Sequence, residues 1–168
     1  PEVHIIAALK ANAYGHGIVP VAKCLAQFDV HSLATGSIHD ALAIRDAGIN
    51  LPILMLGGAL PEGMPVLLEH SLTPTIYDLA GAEAVSRGAD KSTEVYVEVD
   101  AGLGRLGVQL PDALDFIRHI TTLDNLVVTG VYTHVSFHDL AGKEWSRERL
   151  AAFCLLYTSP SPRDERLS

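Results

Sequence analysis

Short apolar runs rich in β-branched residues alternate along this chain with longer stretches whose apolar positions recur at helical spacing. The β-type runs fall at residues 4–9, 31–35, 52–56, 73–77, 94–100 and 127–134. Helical patterns occupy 18–27, 39–47, 64–70, 79–87, 113–122 and 144–153. Gly48, Pro52, Pro61 and Pro111 punctuate the boundaries, where a free or a locked φ ends a regular element. Brief strands alternating with longer helices predict βα units on a parallel sheet. Six such units follow one another with no signal of reversal. An open doubly wound sheet and most of an eight-unit barrel both satisfy that order.

Side-chain parity favours the barrel. Val95, Val97 and Val99 share one face of their strand, and Tyr96, Glu98 and Asp100 share the other. Strands of an open parallel sheet are covered by helices on both sides and read apolar on both. Carboxylates at alternate positions instead predict helices outside and a polar, ligand-lined lumen inside. The same parity groups Ile6, Ala8 and Lys10 in the first strand. The predicted fold is α/β, a partial parallel (β/α)8 TIM-type barrel.

Composition narrows the class. The 168 residues are 48% hydrophobic, enough for one substantial core and too much for a disordered chain. A formal charge of −8 predicts repulsion from nucleic acid and from anionic membrane. No apolar run reaches the roughly 18 residues a bilayer span needs, and the N-terminus lacks the basic start of a signal peptide. Cys24 and Cys154 make neither a disulfide framework nor a CxxC pair, so a reduced, cytoplasmic setting is expected.

Both ends carry expectations of their own. Pro1 stands directly before a strand-like run, so the chain is expected to begin inside a longer protein. After residue 153 the helical pattern gives way to CLLYTSPSPRDERLS, whose Ser-Pro steps disfavour helix and strand. Ser/Pro content fits a flexible tail, and the string CLLYTSPSPRD also resembles translated sequencing-adapter read-through. Residues 1–153 are therefore expected to form the barrel unit and 154–168 a non-native tail.

The chemistry concentrates in ALKANAYGHG, residues 8–17. Lys10 stands at the carboxyl end of the first strand, where α/β proteins build their sites. An ammonium at a buried strand end costs several kcal/mol unless it is paired or neutralised. Beside it Tyr14 offers a hydroxyl, and Gly15 and Gly17 free the backbone to turn N–H groups toward an anion. A strand-end lysine next to a phosphate-sized cradle is the layout of a pyridoxal phosphate (PLP) Schiff base. The plainer alternative is a lysine that snorkels past the strand end into water.

Two other patterns invite competing chemistry. Gly102, Gly104 and Gly107 spell GxGxxG after a strand, but a dinucleotide site needs those glycines at a helix N-terminus. Pro111 marks the next helix start several residues later, and Glu98 and Asp100 would repel phosphates. His134 and His138 have i, i+4 spacing, yet in an extended segment that separates them by about 13 Å. Metal binding is not expected, and His138 reads as a loop residue. His4, His31, His39, His70 and His119 read as surface or boundary positions.

Three segments, ALKANAYGHG, VDAGLGRLG (99–107) and VYTHVS (131–136), in this order and separation, resemble the alanine racemase family. The resemblance runs from the start of the chain to about residue 153. It implies a PLP-dependent racemase with a barrel domain followed by a β domain, acting as a homodimer on a small amino acid. Interconversion of L- and D-alanine, supplying D-alanine for peptidoglycan, is the implied reaction. Carried over by position, Lys10 forms the Schiff base and serves as base for one face of the substrate α-carbon. Tyr14 binds the cofactor phosphate, Arg105 bonds the ring's phenolic oxygen, and His134 packs beside the pyridine ring. The opposite-face base and the partner of the pyridine nitrogen lie, in the family, beyond residue 153, so these residues alone are expected to be inactive. Glu98 departs from the pattern: members often carry a carbamylated lysine there, and a glutamate supplies the anion on a shorter arm. Ala101 and Leu103 also differ from the family's usual residues. Two alternatives stay open. One is a non-racemase PLP-binding barrel, in PLP homeostasis or related to D-amino-acid aldolases and decarboxylases. The other is a non-catalytic small-molecule barrel in which Lys10 only neutralises an anion.

Overall fold

The computed structural model describes residues 3–58, 60–136 and 140–158. Its strands are β1 (Ile6–Ala8), β2 (Ser32–Thr35), β3 (Ile53–Met55), β4 (Thr73–Ile76), β5 (Thr93–Asp100), β6 (Val108–Gln109) and β7 (Leu126–Tyr132). Its helices are α1 (Lys10–Tyr14), α2 (Ile18–Leu25), α3 (Ile38–Asp46), α4 (Met64–Glu69), α5 (Leu79–Gly88), α6 (Ala113–Ile120) and α7 (Leu140–Cys154). Every pairing is parallel, and β1, β2, β3, β4 and β5 neighbour one another in chain order. Past β5 the sheet continues into β7 along residues 93–98 and into the two-residue β6 at its carboxyl end. A doubly wound sheet reverses direction at a switch point. This one never does, so it is the wall of a barrel, which the described residues leave unclosed between β1 and β7.

Apolar parity builds the wall. Leu33, Ile53, Ile76, Val95, Val97 and Val99 are buried and pack with Ala22, Ile44, Leu67, Val85 and Ile120 from the covering helices. Helix starts are fixed locally: Ser37 Oγ accepts from the Asp40 amide at 3.3 Å, and Asp78 Oδ1 from the Gly81 amide at 2.7 Å. At the amino ends of the strands, the Arg45 guanidinium donates to the carbonyls of His70, Ile49, Leu51 and Ser71. One side chain thereby ties α3 to the turns that lead into β3 and β4.

A bulge sets the register where it matters. Val95 pairs with Val128 but Tyr96 pairs with Gly130, so Thr129 is skipped and its hydroxyl bonds the Val95 carbonyl at 3.2 Å. Glu98 consequently stands opposite Tyr132 instead of Val131. Gly130 suits the site: a Cβ would lie 3.0 Å from Tyr96 Cζ and closer still to Cε1 and Cδ1 of that ring.

Several expectations need correction. A seventh strand, β6, closes the 101–107 loop, where sequence patterning showed only a connection. β1 spans three residues, with Ile5 58% and Ile6 38% exposed and Lys10 itself exposed. The desolvation cost expected of a lysine at a buried strand end therefore does not arise here. Helical structure also extends past 153: α7 ends at Cys154, and a 3-10 turn, Leu155–Thr158, follows with Leu156 packed against the core. Residues 159–168 and His138 lie outside the described residues. No helix among the described residues is long and apolar enough to cross a membrane, and none of their acidic, histidine and cysteine side chains gather in threes as a metal site would need.

Candidate functional site

A cleft of about 380 Å³ opens at the carboxyl ends of the strands, within the size range of small-molecule sites. Lys10, Glu98, Arg105 and His134 all line it, joined by Tyr132 and Thr133. Four of the five residues singled out in the sequence thus meet in one place. Tyr14 does not line the cleft; it is 61% exposed on the flank of α1.

The segment after Lys10 folds in an unexpected way. Ala11, Asn12, Ala13 and Tyr14 all have φ near +54°, so α1 is a left-handed turn built from L-residues. Each such residue costs about 1–2 kcal/mol relative to a right-handed conformation. Contacts at both ends hold it: Asn12 Oδ1 accepts from the Ile18 amide at 2.7 Å, and the Ala13 amide donates to the Leu9 carbonyl at 2.8 Å. The Gly15, His16 and Gly17 amides donate back to the carbonyls of Ala11, Asn12 and Ala13. Those amides are thus spent inside the turn, which corrects the expectation that the glycine N–H groups form an anion cradle. The turn instead delivers Lys10 to the cleft and leaves the Tyr14 hydroxyl free to act from its edge.

The 101–107 loop is organised by a carboxylate. Asp100 Oδ1 accepts from the Gly102 amide at 2.8 Å, its oxygens take the Gly104 amide at 3.0–3.1 Å, and Gln109 Nε2 reaches Oδ2 at 3.4 Å. Burial acts to raise the Asp100 pKa, but these donors outweigh it and the net shift is downward. Two of the three glycine amides of GxGxxG, those of Gly102 and Gly104, thus face a protein carboxylate, which speaks against the dinucleotide alternative. Gly107 has φ +126°, and a Cβ there would run into the Asp100 amide and come within 2.8 Å of the Val99 carbonyl carbon. The loop is shaped to present Arg105.

Arg105 meets Glu98 across 3.7 Å, half-exposed guanidinium to buried carboxylate. Burial raises the Glu98 pKa, opposed by the Tyr132 hydrogen bond and the Arg105 charge. Tyr132 donates to Glu98 Oε2 at 3.1 Å, and its hydroxyl lies 3.2 Å from Thr75 Oγ1. Burial pushes the Tyr132 pKa up to about 12. The His134 pKa is lowered, first by desolvation and then by the charges of Arg105 and Lys10, which favours its neutral ring. Tyr132 and Thr75 were missed in the sequence. The signal was present as parity, because Tyr132 and His134 alternate on one face of the strand carrying VYTHVS.

The donor set suits PLP: an amine for its aldehyde carbon, a permanent cation, and a neutral imidazole beside an otherwise apolar wall of Leu56 and Leu106. A parallel barrel wall with such a rim defines a barrel domain whose strand ends offer groups that could hold a small anionic ligand. A family model described as "Alanine racemase, N-terminal domain" matches residues 1–161, and the chain belongs to that family, whose members are PLP-dependent. The alanine racemase of Halothermothrix orenii is 34% identical over 155 residues, covering 90% of this chain and 41% of that protein. The structure of alanine racemase from Clostridium difficile 630 matches with a TM-score of 0.88 at 29% identity, over 94% of this chain and 45% of that one. A histidine racemase from Leuconostoc mesenteroides matches at TM-score 0.80 and 23% identity over 95% of this chain and 44% of that one, a likeness of fold alone. The chain spans less than half the length of these relatives.

Proposed function

We propose that this chain supplies the cofactor-binding half of a PLP-dependent amino-acid racemase, with alanine as substrate. The observation that carries the reading is the single cleft shared by Lys10, Arg105 and His134. PLP, when bound, draws electrons from the substrate Cα and so acidifies its C–H bond. Lys10 would hold the cofactor and take or return the Cα proton on one face. Arg105 cannot lose its proton, so it only donates, and it would hold the phenolic oxygen while Glu98 balances its charge. His134, kept neutral by its surroundings, would flank the ring without adding a charge. Tyr14 would bond the phosphate from the outer edge of α1.

Racemisation needs a second base on the opposite face. We assign it to a residue outside these 168, carried by the partner chain of a homodimer, as the family resemblance implies; the cytoplasmic setting rests on the two free cysteines. Residues 1–153 would form the native barrel portion. The alanine preference rests on the relatives' activity, since few side chains that would contact a substrate lie in this segment.

Borohydride reduction of the PLP-loaded chain, followed by peptide mass mapping, tests the reading. The expected result is a reduced adduct on Lys10, absent in Lys10→Ala and retained in Arg105→Ala. An adduct on another lysine, unchanged in Lys10→Ala, overturns it. Reversible PLP binding with no reducible adduct favours the anion-binding alternative.

A further inference from the structure

The phenol of Tyr132 lines the cleft, yet neither the sequence pattern nor the proposed reaction uses it. Tyr132 sits between Thr75 on β4 and Glu98 on β5, and its hydroxyl is within bonding distance of both. A phenol has one proton to donate. A carboxylate is acceptor-only, so that proton goes to Glu98 Oε2, and the Thr75 hydroxyl must then donate to the Tyr132 oxygen. The order of donation is fixed: Thr75 to Tyr132 to Glu98. With Oε2 occupied, Glu98 keeps Oε1 turned to Arg105.

We propose that Tyr132 is a positioning residue, which keeps Glu98 ionised and oriented so that Arg105 is held over the cleft, with Thr75 orienting Tyr132 in turn. Glu98 is buried on β5, and among the described residues its close charged and titratable neighbours are Arg105, Tyr132 and Asp100. Lys10 and His134 complete the titratable lining of the cleft. Burial and Asp100 push Glu98 toward its neutral form, and Tyr132 and Arg105 push the other way. Removing the phenol hydroxyl deletes one of the two opposing influences. The bulge at Thr129 is what makes this possible, because it puts Tyr132 and not Val131 opposite Glu98. The role toward PLP rests on the function proposed above; the control of Glu98 does not.

The test is a titration of the Glu98 carboxyl in the full chain, labelled with side-chain ¹³C-glutamate and assigned through Glu98→Gln. In Tyr132→Phe the titration midpoint should move upward by about one pH unit, the scale of one lost hydrogen bond to a charged group. Thr75→Val should move it the same way by less, and it serves as the readout if Tyr132→Phe fails to fold. Binding of PLP itself, followed by absorbance, should then weaken several-fold in Tyr132→Phe and lose its remaining affinity at higher pH than the parent. A Glu98 midpoint unmoved in both variants overturns the proposal. A shifted midpoint without any PLP binding would sustain the positioning role and refute only the cofactor reading.

Discussion

Two carboxylates on β5, two positions apart, answer to opposite forces. Glu98 is raised chiefly by burial, so its contribution to stability is present below its unfolded pKa and is lost as pH rises through the folded value. Asp100 is lowered, because its amide donors outweigh burial, so its contribution is present above its unfolded pKa and is lost as pH falls through the folded value. Melting temperature measured against pH should show both signs. Glu98→Gln should gain on the parent toward neutral pH, with the gap closing in acid. Asp100→Asn should lose about 1.5–3 kcal/mol at neutral pH, with that gap also closing in acid. At this scale the sequence was legible at Glu98, where strand parity set a carboxylate on the lumen face, and at Lys10 and Arg105 through the motifs that carry the family resemblance. It was opaque at the partner of Tyr132: parity with His134 places the phenol on the cleft face, but its pairing with Glu98 depends on a bulged register that no alternation of residue types reveals.

Among the elements, α1 is the one least visible beforehand. Lys-Ala-Asn-Ala-Tyr has ordinary right-handed helix formers, and only tertiary contacts turn it left-handed, through Asn12 to Ile18 and Ala13 to Leu9. Ala11 is exposed and has φ +54°, so its methyl group is a steric cost with little packing return. Ala11→Gly should therefore raise stability by about 0.5–1 kcal/mol in urea denaturation, against the usual direction for a helix residue. Gly107→Ala should do the reverse, by about 3 kcal/mol, because its Cβ meets backbone that cannot swing aside. The helices α2, α5 and α6 were readable in advance because each lays an apolar stripe on a sheet face that is itself apolar. β6 was not, since two residues are too few for any period.

Across the whole molecule, β1 and β7 are sheet edges left unpaired within the described residues, and Val3, Ile5 and Ile6 are exposed beside the first of them. Such an edge is a template for pairing with another chain. Light scattering of the 168-residue chain should show association that grows with concentration, and Ile6→Lys should reduce it. The opposite end of the sheet is tied together by Arg45 and its carbonyl acceptors. A cleft there takes in Glu94, the strand neighbour four residues before Glu98, about 13 Å away at strand rise. That spacing exceeds the range over which substitutions usually couple. Stability and chemistry are consequently separable inheritances in this domain: a lineage can rewrite the rim around Glu98 while Arg45 keeps the base intact, and the effects of Arg45→Met and Glu98→Gln should add to within about 0.5 kcal/mol.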